Sequence, residues 1–293
     1  MTVSPHTSLC RDAEGWAHSL WKEAESRWVG RGSQDRSYRY LAVYPFLFSV
    51  IRMLRKRNPL TILDLGCGDG SMLDDERFRE LVGDDCRYLG VDVSGMLLDT
   101  AQKHHQSDNI SFCEKHLTDP DLVEAVTGNG AFWNCVVAVF VIQEIPDLQA
   151  FLRNISRILS PESVALFVTV HPDFADWLLE QGRIRPVESL APDPGDSAPP
   201  WRWAGGYPIL DEPDEPFLVP HFQRTTDDYT ALIESAGLKT DLIAEIPNHR
   251  ELADLVAQGM SPFKPFPANV YWPRIGEHPS SLGMIVRKGE PYA

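Results

Sequence analysis

Three glycines stand at alternate positions in Asp64-Leu65-Gly66-Cys67-Gly68-Asp69-Gly70, directly after the apolar residues Ile62 and Leu63. Glycine turns where other residues are strained, and its bare Cα lets a ligand approach the backbone. A helix opening at Ser71 would aim its free N–H groups and the positive end of its dipole at the same point. Such a bend at the carboxyl edge of a parallel sheet forms a slot for a nucleotide-sized ligand. A second acid, Asp92, ends another apolar run in Tyr88-Leu89-Gly90-Val91-Asp92-Val93-Ser94, twenty-two positions past Gly70. Its two oxygens suit the vicinal hydroxyls of a ribose. Ser94 is free to cap the helix that follows, so the two roles do not compete.

The spacing selects among nucleotide binders. A dinucleotide fingerprint, G-x-G-x-x-G, would need its third glycine at position 71, which is Ser71, and no Gly-Lys-Ser/Thr run of a phosphate-cradling loop occurs. Side chains able to accept a proton lie where the sheet edge meets later loops. His171 follows an apolar run in Val170-His171-Pro172, His221 closes a proline-rich segment, and Glu144 sits in Gln143-Glu144-Ile145-Pro146-Asp147. Each of the three also reads as an ordinary hydrogen-bonded loop residue. The adjacent pair His104-His105 points in two directions on a helix and cannot share a metal ion.

These residues need elements to hold them. From Leu60 onward short apolar runs alternate with helical stretches, the pattern of a parallel sheet covered on both faces. Strands are predicted near Thr61–Leu65, Tyr88–Val93, Ile110–Glu114, Cys135–Phe140, Val164–Val170, Leu238–Ile246 and Leu282–Arg287. Phe151, Leu152, Ile155, Ile158 and Leu159 repeat at helical spacing from Leu148 to Leu159. A further helix starts at Thr225, with Asp228 completing a near capping box, and ends at Gly237. Ahead of the sheet, Asp12 to Trp28 is helical in pattern. A polar break follows from Gly30 to Ser37, and Pro45 opens a second helix. Pro186 to Pro220 holds nine prolines, seven acids and one basic residue, so an irregular lid or loop is expected there. Phe174, Trp177, Trp201, Trp203, Tyr207, Phe217 and Phe222 either wall a pocket beside this segment or pin it to the core.

Composition narrows the partners. The chain of 293 residues carries 27 basic and 42 acidic side chains, a net charge of −15. That balance argues against nucleic acid, whose binding is dominated by phosphate neutralisation, and against an anionic membrane. Five cysteines without a C-x-x-C read as small buried apolar groups in a reducing compartment. With no charged-then-apolar leader and no long apolar run, a cytoplasmic, soluble protein is expected.

The glycine loop and Asp92, with Phe132–Val137 running into Gln143–Asp147, Arg157-Ile158-Leu159-Ser160-Pro161, and Arg224 through Leu238, resemble the motifs of class I S-adenosylmethionine-dependent methyltransferases in order. The resemblance covers residues 38–288 and is greatest to small-molecule enzymes of ubiquinone and menaquinone biosynthesis and of natural-product tailoring. It implies an α/β, Rossmann-like fold: a seven-stranded, mostly parallel sheet with helices on both faces. Residues 1–58 would form an N-terminal helical cap. Residues 59–293 would form the cofactor-binding domain, with a proline-rich, substrate-side insertion at 173–224. The implied cofactor is S-adenosylmethionine, contacted by Asp64, Gly66, Cys67, Gly68, Asp92, Val93, Met96, His116, Leu117, Ala138 and, from the cap, Tyr40. Tyr40 also reads as a core residue. Two positions depart from the family: His116 stands where an acid usually holds the adenine amino group, and Ser160-Pro161-Glu162-Ser163 replaces a Pro-Gly-Gly turn.

Methyl transfer from a sulfonium is an in-line displacement in which the protein orients the reactants and excludes water. The expected acceptor is an oxygen or nitrogen of a small apolar or aromatic metabolite, with His171, His221 or Glu144 as base. A carbon acceptor, a protein acceptor and an inactive, cofactor-binding relative are the alternatives. The protein is expected to be a monomer or homodimer without a metal.

Overall fold

The computed structural model describes residues 5–29, 39–55, 59–192, 200–208, 217–246 and 279–289. The break at Gly30–Ser37 and parts of the proline-rich segment lie outside them.

Helix α1 (Pro5–Trp28) is followed by a short π-helix (Arg39–Val43) and α2 (Tyr44–Arg55), with Pro45 in the first turn of α2. Strands and helices then alternate: β1 (Thr61–Leu65), α3 (Glu76–Val82), β2 (Arg87–Asp92), α4 (Gly95–His104), β3 (Ile110–Glu114), α5 (Leu122–Thr127), β4 (Cys135–Val139), α6 (Leu148–Ile158), β5 (Val164–Val170) and α7 (Pro172–Glu180). A two-stranded hairpin, β6 (Ala204–Pro208) and β7 (Leu218–Phe222), precedes α8 (Thr226–Ser235), β8 (Leu238–Ile246) and β9 (Ser281–Lys288).

The main sheet has seven strands in the order β3-β2-β1-β4-β5-β9-β8. Strands β1 to β5 are mutually parallel where they pair, and β9 runs antiparallel to both β5 and β8. The order reverses between β1 and β4, so their carboxyl ends flank the crevice where such sheets take ligands. Both faces are covered, which is why the central strands read as unbroken apolar runs. On one face Leu63, Val136, Ala165, Phe167 and Met284 pack against Phe151, Leu152 and Ile155 of α6. On the other, Ile62, Val137, Leu166 and Val168 pack against Phe46, Leu47 and Ile51 of α2.

Two expectations are corrected. The α-helix does not begin at Ser71: a 3-10 turn covers Ser71–Asp74, and Asp75, in extended conformation, caps α3 by accepting from the Arg77 N–H. The proline-rich segment is also not wholly irregular. Strands β6 and β7 pair from Ala204↔Phe222 to Pro208↔Leu218. Pro186 bridges to Gly205, where a Cβ would stand 2.8 Å from the Arg185 carbonyl oxygen. Backbone approaches that close admit glycine alone, and this tertiary contact overrides the low strand propensity of the segment.

Candidate functional site

The loop after β1 is built on positive φ: 75° at Gly66, 58° at Gly68 and 75° at Gly70. Its first two amides, Gly66 and Cys67, donate to the Val91 carbonyl at 2.7 and 3.1 Å, which ties the bend to the end of β2. A Cβ on Gly66 would lie 2.3 Å from Val141 Cγ2, so a bare backbone is needed here. Asp92, at the tip of β2, accepts from the Gly68 N–H at 2.8 Å on one oxygen and from the Ser94 N–H at 2.9 Å on the other. Burial pushes its carboxyl upward, and these N–H groups oppose that by favouring the anion. A carboxylate has about four acceptor sites, so Asp92 retains capacity for a diol.

Beneath the loop Asp64 is buried and accepts from the Tyr88 hydroxyl at 2.6 Å. Burial raises its pKa to about 6, opposed by the Tyr88 hydrogen bond and by the charge of Arg39.

A cleft of about 1030 Å³, including its open mouth, lies over these groups. Its floor and walls come from strand ends: Gly66, Gly68, Asp92, Val93, Ser94, His116, Leu117, Thr118, and Val139 to Val141 with Glu144. Phe140 has φ of 56°, a left-handed backbone rare in a bulky residue, and its N–H donates to Val168 O at 2.7 Å. His116 Nδ1 lies 2.8 Å from the Thr118 hydroxyl.

Helix α1 forms the roof. Polar contacts join it to the ends of three strands. Ser94 donates to Glu25 Oε2 at 2.7 Å, Thr118 to Glu14 Oε1 at 3.4 Å, and the Trp21 indole N–H to Glu144 Oε2 at 2.9 Å. Trp28 and Arg39 complete the wall, the Arg39 guanidinium lying 4.8 Å from the Trp28 ring centre and 5.3 Å from that of Phe140. Burial drives Glu144 well above the usual carboxylate range, while Arg39 and the Trp21 hydrogen bond act in the opposite direction.

The cleft therefore gathers Gly66, Gly68, Asp92, Val93, His116, Leu117 and Glu144 from the residues singled out in the sequence. Others stand elsewhere. Cys67 is buried, and its Sγ is 2.7 Å from where a Cβ on Gly90 would be. Ala138 is inside β4, Met96 is exposed on α4, and Tyr40 lies under the Arg77 guanidinium at 3.8 Å. His171 caps α7, its Nδ1 accepting from the Asp173 N–H at 3.2 Å. His221 is buried in the hairpin between the Trp203 and Tyr207 rings, with Nε2 2.9 Å from Gln223 Oε1, and burial lowers its pKa to about 4. The seven aromatics of the segment around the hairpin are absent from the described lining. The aromatic walls are Trp21, Trp28 and Phe140 instead. The sequence reading missed Trp21, Glu25 and Arg39; the repeat Ala17, Trp21, Ala24, Trp28 at helical spacing was the available signal for a buried face of α1.

A family model described as a methyltransferase domain matches residues 34–240. The ubiquinone biosynthesis O-methyltransferase of Coxiella burnetii is 25% identical over 120 residues, 40% of this chain and 46% of the relative. The 2-phytyl-1,4-naphtoquinone methyltransferase of Nostoc sp. is 25% identical over 174 residues, 56% of this chain and 62% of the relative. The matched part thus spans about half the length of these curated relatives. In fold, the chain is similar to a crystal structure of a SAM-dependent methyltransferase from Anabaena variabilis, with TM-score 0.52, 13% identity, and coverage of 94% of this chain and 95% of that one.

Proposed function

Since the chain belongs to the methyltransferase-domain family, of class I S-adenosylmethionine-dependent architecture, we propose that it methylates an oxygen or nitrogen of a small aromatic metabolite. The observation that carries this reading is the joint of Gly68 N–H and Asp92 at 2.8 Å beneath a bare-backbone bend. It presents a diol acceptor and a close backbone approach side by side. Quinone-ring methyltransferases among the relatives, and the walls Trp21, Trp28 and Phe140, support a phenolic ring as the acceptor. A tailoring role in secondary metabolism is part of the same proposal.

The residues present suit the cofactor. Asp92 would hold the ribose, and His116 with Leu117 would border the adenine. Asp64, buried beneath the loop, would take the ammonium of the methionine end. Arg39, stacked on Trp28 and Phe140 beside the loop, would take the carboxylate of that end. When bound, the cofactor supplies an activated methyl on a sulfonium with a neutral leaving group. Helix α1 excludes water from above, which strengthens every charge interaction inside. Of the three candidate bases, Glu144 is the one in the described lining of the cleft, so it is assigned the acceptor's proton. The Trp21 indole and the Gln143 amide donate to its two oxygens, which favours the carboxylate form that can take a proton. We read residues 1–58 as the cap and 59–293 as the catalytic domain.

Calorimetry with S-adenosylhomocysteine and with NAD tests the binding reading. Heat with the first and none with the second is expected; heat with NAD alone refutes it. Mass spectrometry of phenolic metabolites incubated with the loaded enzyme then seeks the gain of one CH₂.

A further inference from the structure

The proline-rich insertion reaches the cleft through one buried cation. Arg224, at the exit of the hairpin, is 1% exposed. Its Nη2 donates to the carbonyls of Ile145 at 2.9 Å and Pro146 at 2.8 Å, and its Nη1 to Ile142 at 3.5 Å and Phe222 at 3.4 Å. The Nε donates to Pro200 at 2.9 Å. The Phe222 N–H donates to the Gln143 carbonyl at 2.7 Å. The carbonyls of residues 142, 143, 145 and 146 are thus all engaged by the end of the hairpin, and these residues flank Glu144 on both sides. A parallel chain of side chains reaches Glu144 itself. Thr169 donates to Gln143 Oε1 at 2.9 Å and lies 3.4 Å from the Tyr229 hydroxyl, and Gln143 Nε2 donates to Glu144 Oε1 at 3.3 Å.

Burying a guanidinium against carbonyls and the Tyr229 hydroxyl, with no carboxylate bonded to it, is a poor way to gain stability, since an apolar side chain of similar volume often does as well or better. What the planar fork supplies is geometry: several fixed donors that set the path of one loop. We infer that Arg224 is a positioning residue that holds Glu144 in register with the cleft. The insertion thereby acts as a buttress of the reacting centre. This rests on the reading of Glu144 as proton acceptor.

The test uses full-length protein saturated with S-adenosylhomocysteine, ¹⁵N-labelled at its indoles, with the Trp21 signal assigned by Trp21→Phe. That indole donates to Glu144, so its chemical shift reports both the position of the carboxyl and its titration. Arg224→Met is expected to leave S-adenosylhomocysteine affinity unchanged, because the guanidinium touches none of the glycine loop or Asp92. It should also move the Trp21 signal toward that of a free indole and return the titration toward the ordinary carboxylate range. An unaltered Trp21 signal and titration in Arg224→Met overturns the proposal. If that variant does not fold, Arg224→Lys, which retains the charge but not the fork, is read in the same way. Methylation of catechol at single turnover adds the chemical arm: Arg224→Met should lose about tenfold or more in rate. The double variant Arg224→Met/Glu144→Gln should then be no slower than Glu144→Gln alone, whereas fully additive losses contradict positioning. If Glu144→Gln methylates catechol at the wild-type rate, the proton-acceptor reading fails. The Trp21 signal still decides whether Arg224 positions the loop.

Discussion

Replacing Asp64 by Asn should make the ligand-free protein more stable, and the gain should depend on pH. Burial lifts the Asp64 carboxyl to about 6 from its ordinary 3.8. Between those values the folded chain retains a proton that the unfolded chain has released. Stability therefore falls as pH rises from about 3.8 through about 6 and stays reduced above that. The interval of 2.2 pH units (6 − 3.8), at about 1.4 kcal/mol each, gives about 3 kcal/mol as an upper figure. Asparagine is neutral throughout and retains an oxygen to accept from Tyr88, so it removes the charge with little change in packing. We expect Asp64→Asn to exceed wild type by about 1–3 kcal/mol near neutral pH, or about 2–4 °C in Tm per kcal/mol, with the gap closing toward pH ~4. Thermal unfolding of ligand-free protein across that range is the assay. Under saturating S-adenosylhomocysteine the order should reverse, because the wild-type carboxylate then meets its ammonium. A variant that is less stable than wild type near neutral pH, or a gap of constant size at every pH, refutes the reasoning.

Two further outcomes follow from the same geometry. Gly66→Ala would set a Cβ 2.3 Å from Val141 Cγ2 at a φ of +75°. It should cost about 2–4 kcal/mol and abolish S-adenosylhomocysteine binding by calorimetry, whereas Gly15→Ala in α1, with nothing within 4 Å, should do neither. His171→Ala removes the cap of α7 and should lower stability by about 0.5–2 kcal/mol with unchanged cofactor affinity. A large loss of affinity there would put the imidazole into the chemistry of the cleft.

The parallel strands were legible because burial on both faces leaves unbroken apolar runs, as in Cys135–Val139 and Val164–Val170, and the acids and glycines at their ends mark the crevice. The capping box at Thr225 and Asp228 was equally local, and it forms as the spacing implies. The hairpin was not legible. Ala204–Pro208 and Leu218–Phe222 contain glycines and prolines, and their pairing depends on the Pro186 bridge and on neighbours distant in sequence. The roof was hidden for a similar reason. Trp21 and Glu25 look like any residues of an amphipathic helix until tertiary packing sets them opposite Glu144 and Ser94, 123 and 69 positions away. Arg224 opened one of the stretches that carry the family resemblance, but nothing local marked it as buried, since an arginine entering a helix normally reads as a solvated side chain.

The place of β9 bears on how the chain can acquire its shape. This segment, 281–288, is last in sequence among the described strands, yet it lies inside the sheet, hydrogen-bonded to β5 on one side and β8 on the other. Until it arrives, β8 has no strand to join and β5 shows a raw edge to solvent. A polypeptide leaving the ribosome would thus expose that edge from the completion of β5 at Val170 until Ser281 follows, a window in which strand-to-strand association between nascent copies competes with closure. Removing residues 281–288 should then strip away two strands rather than one, and yield aggregation in place of a trimmed but soluble enzyme.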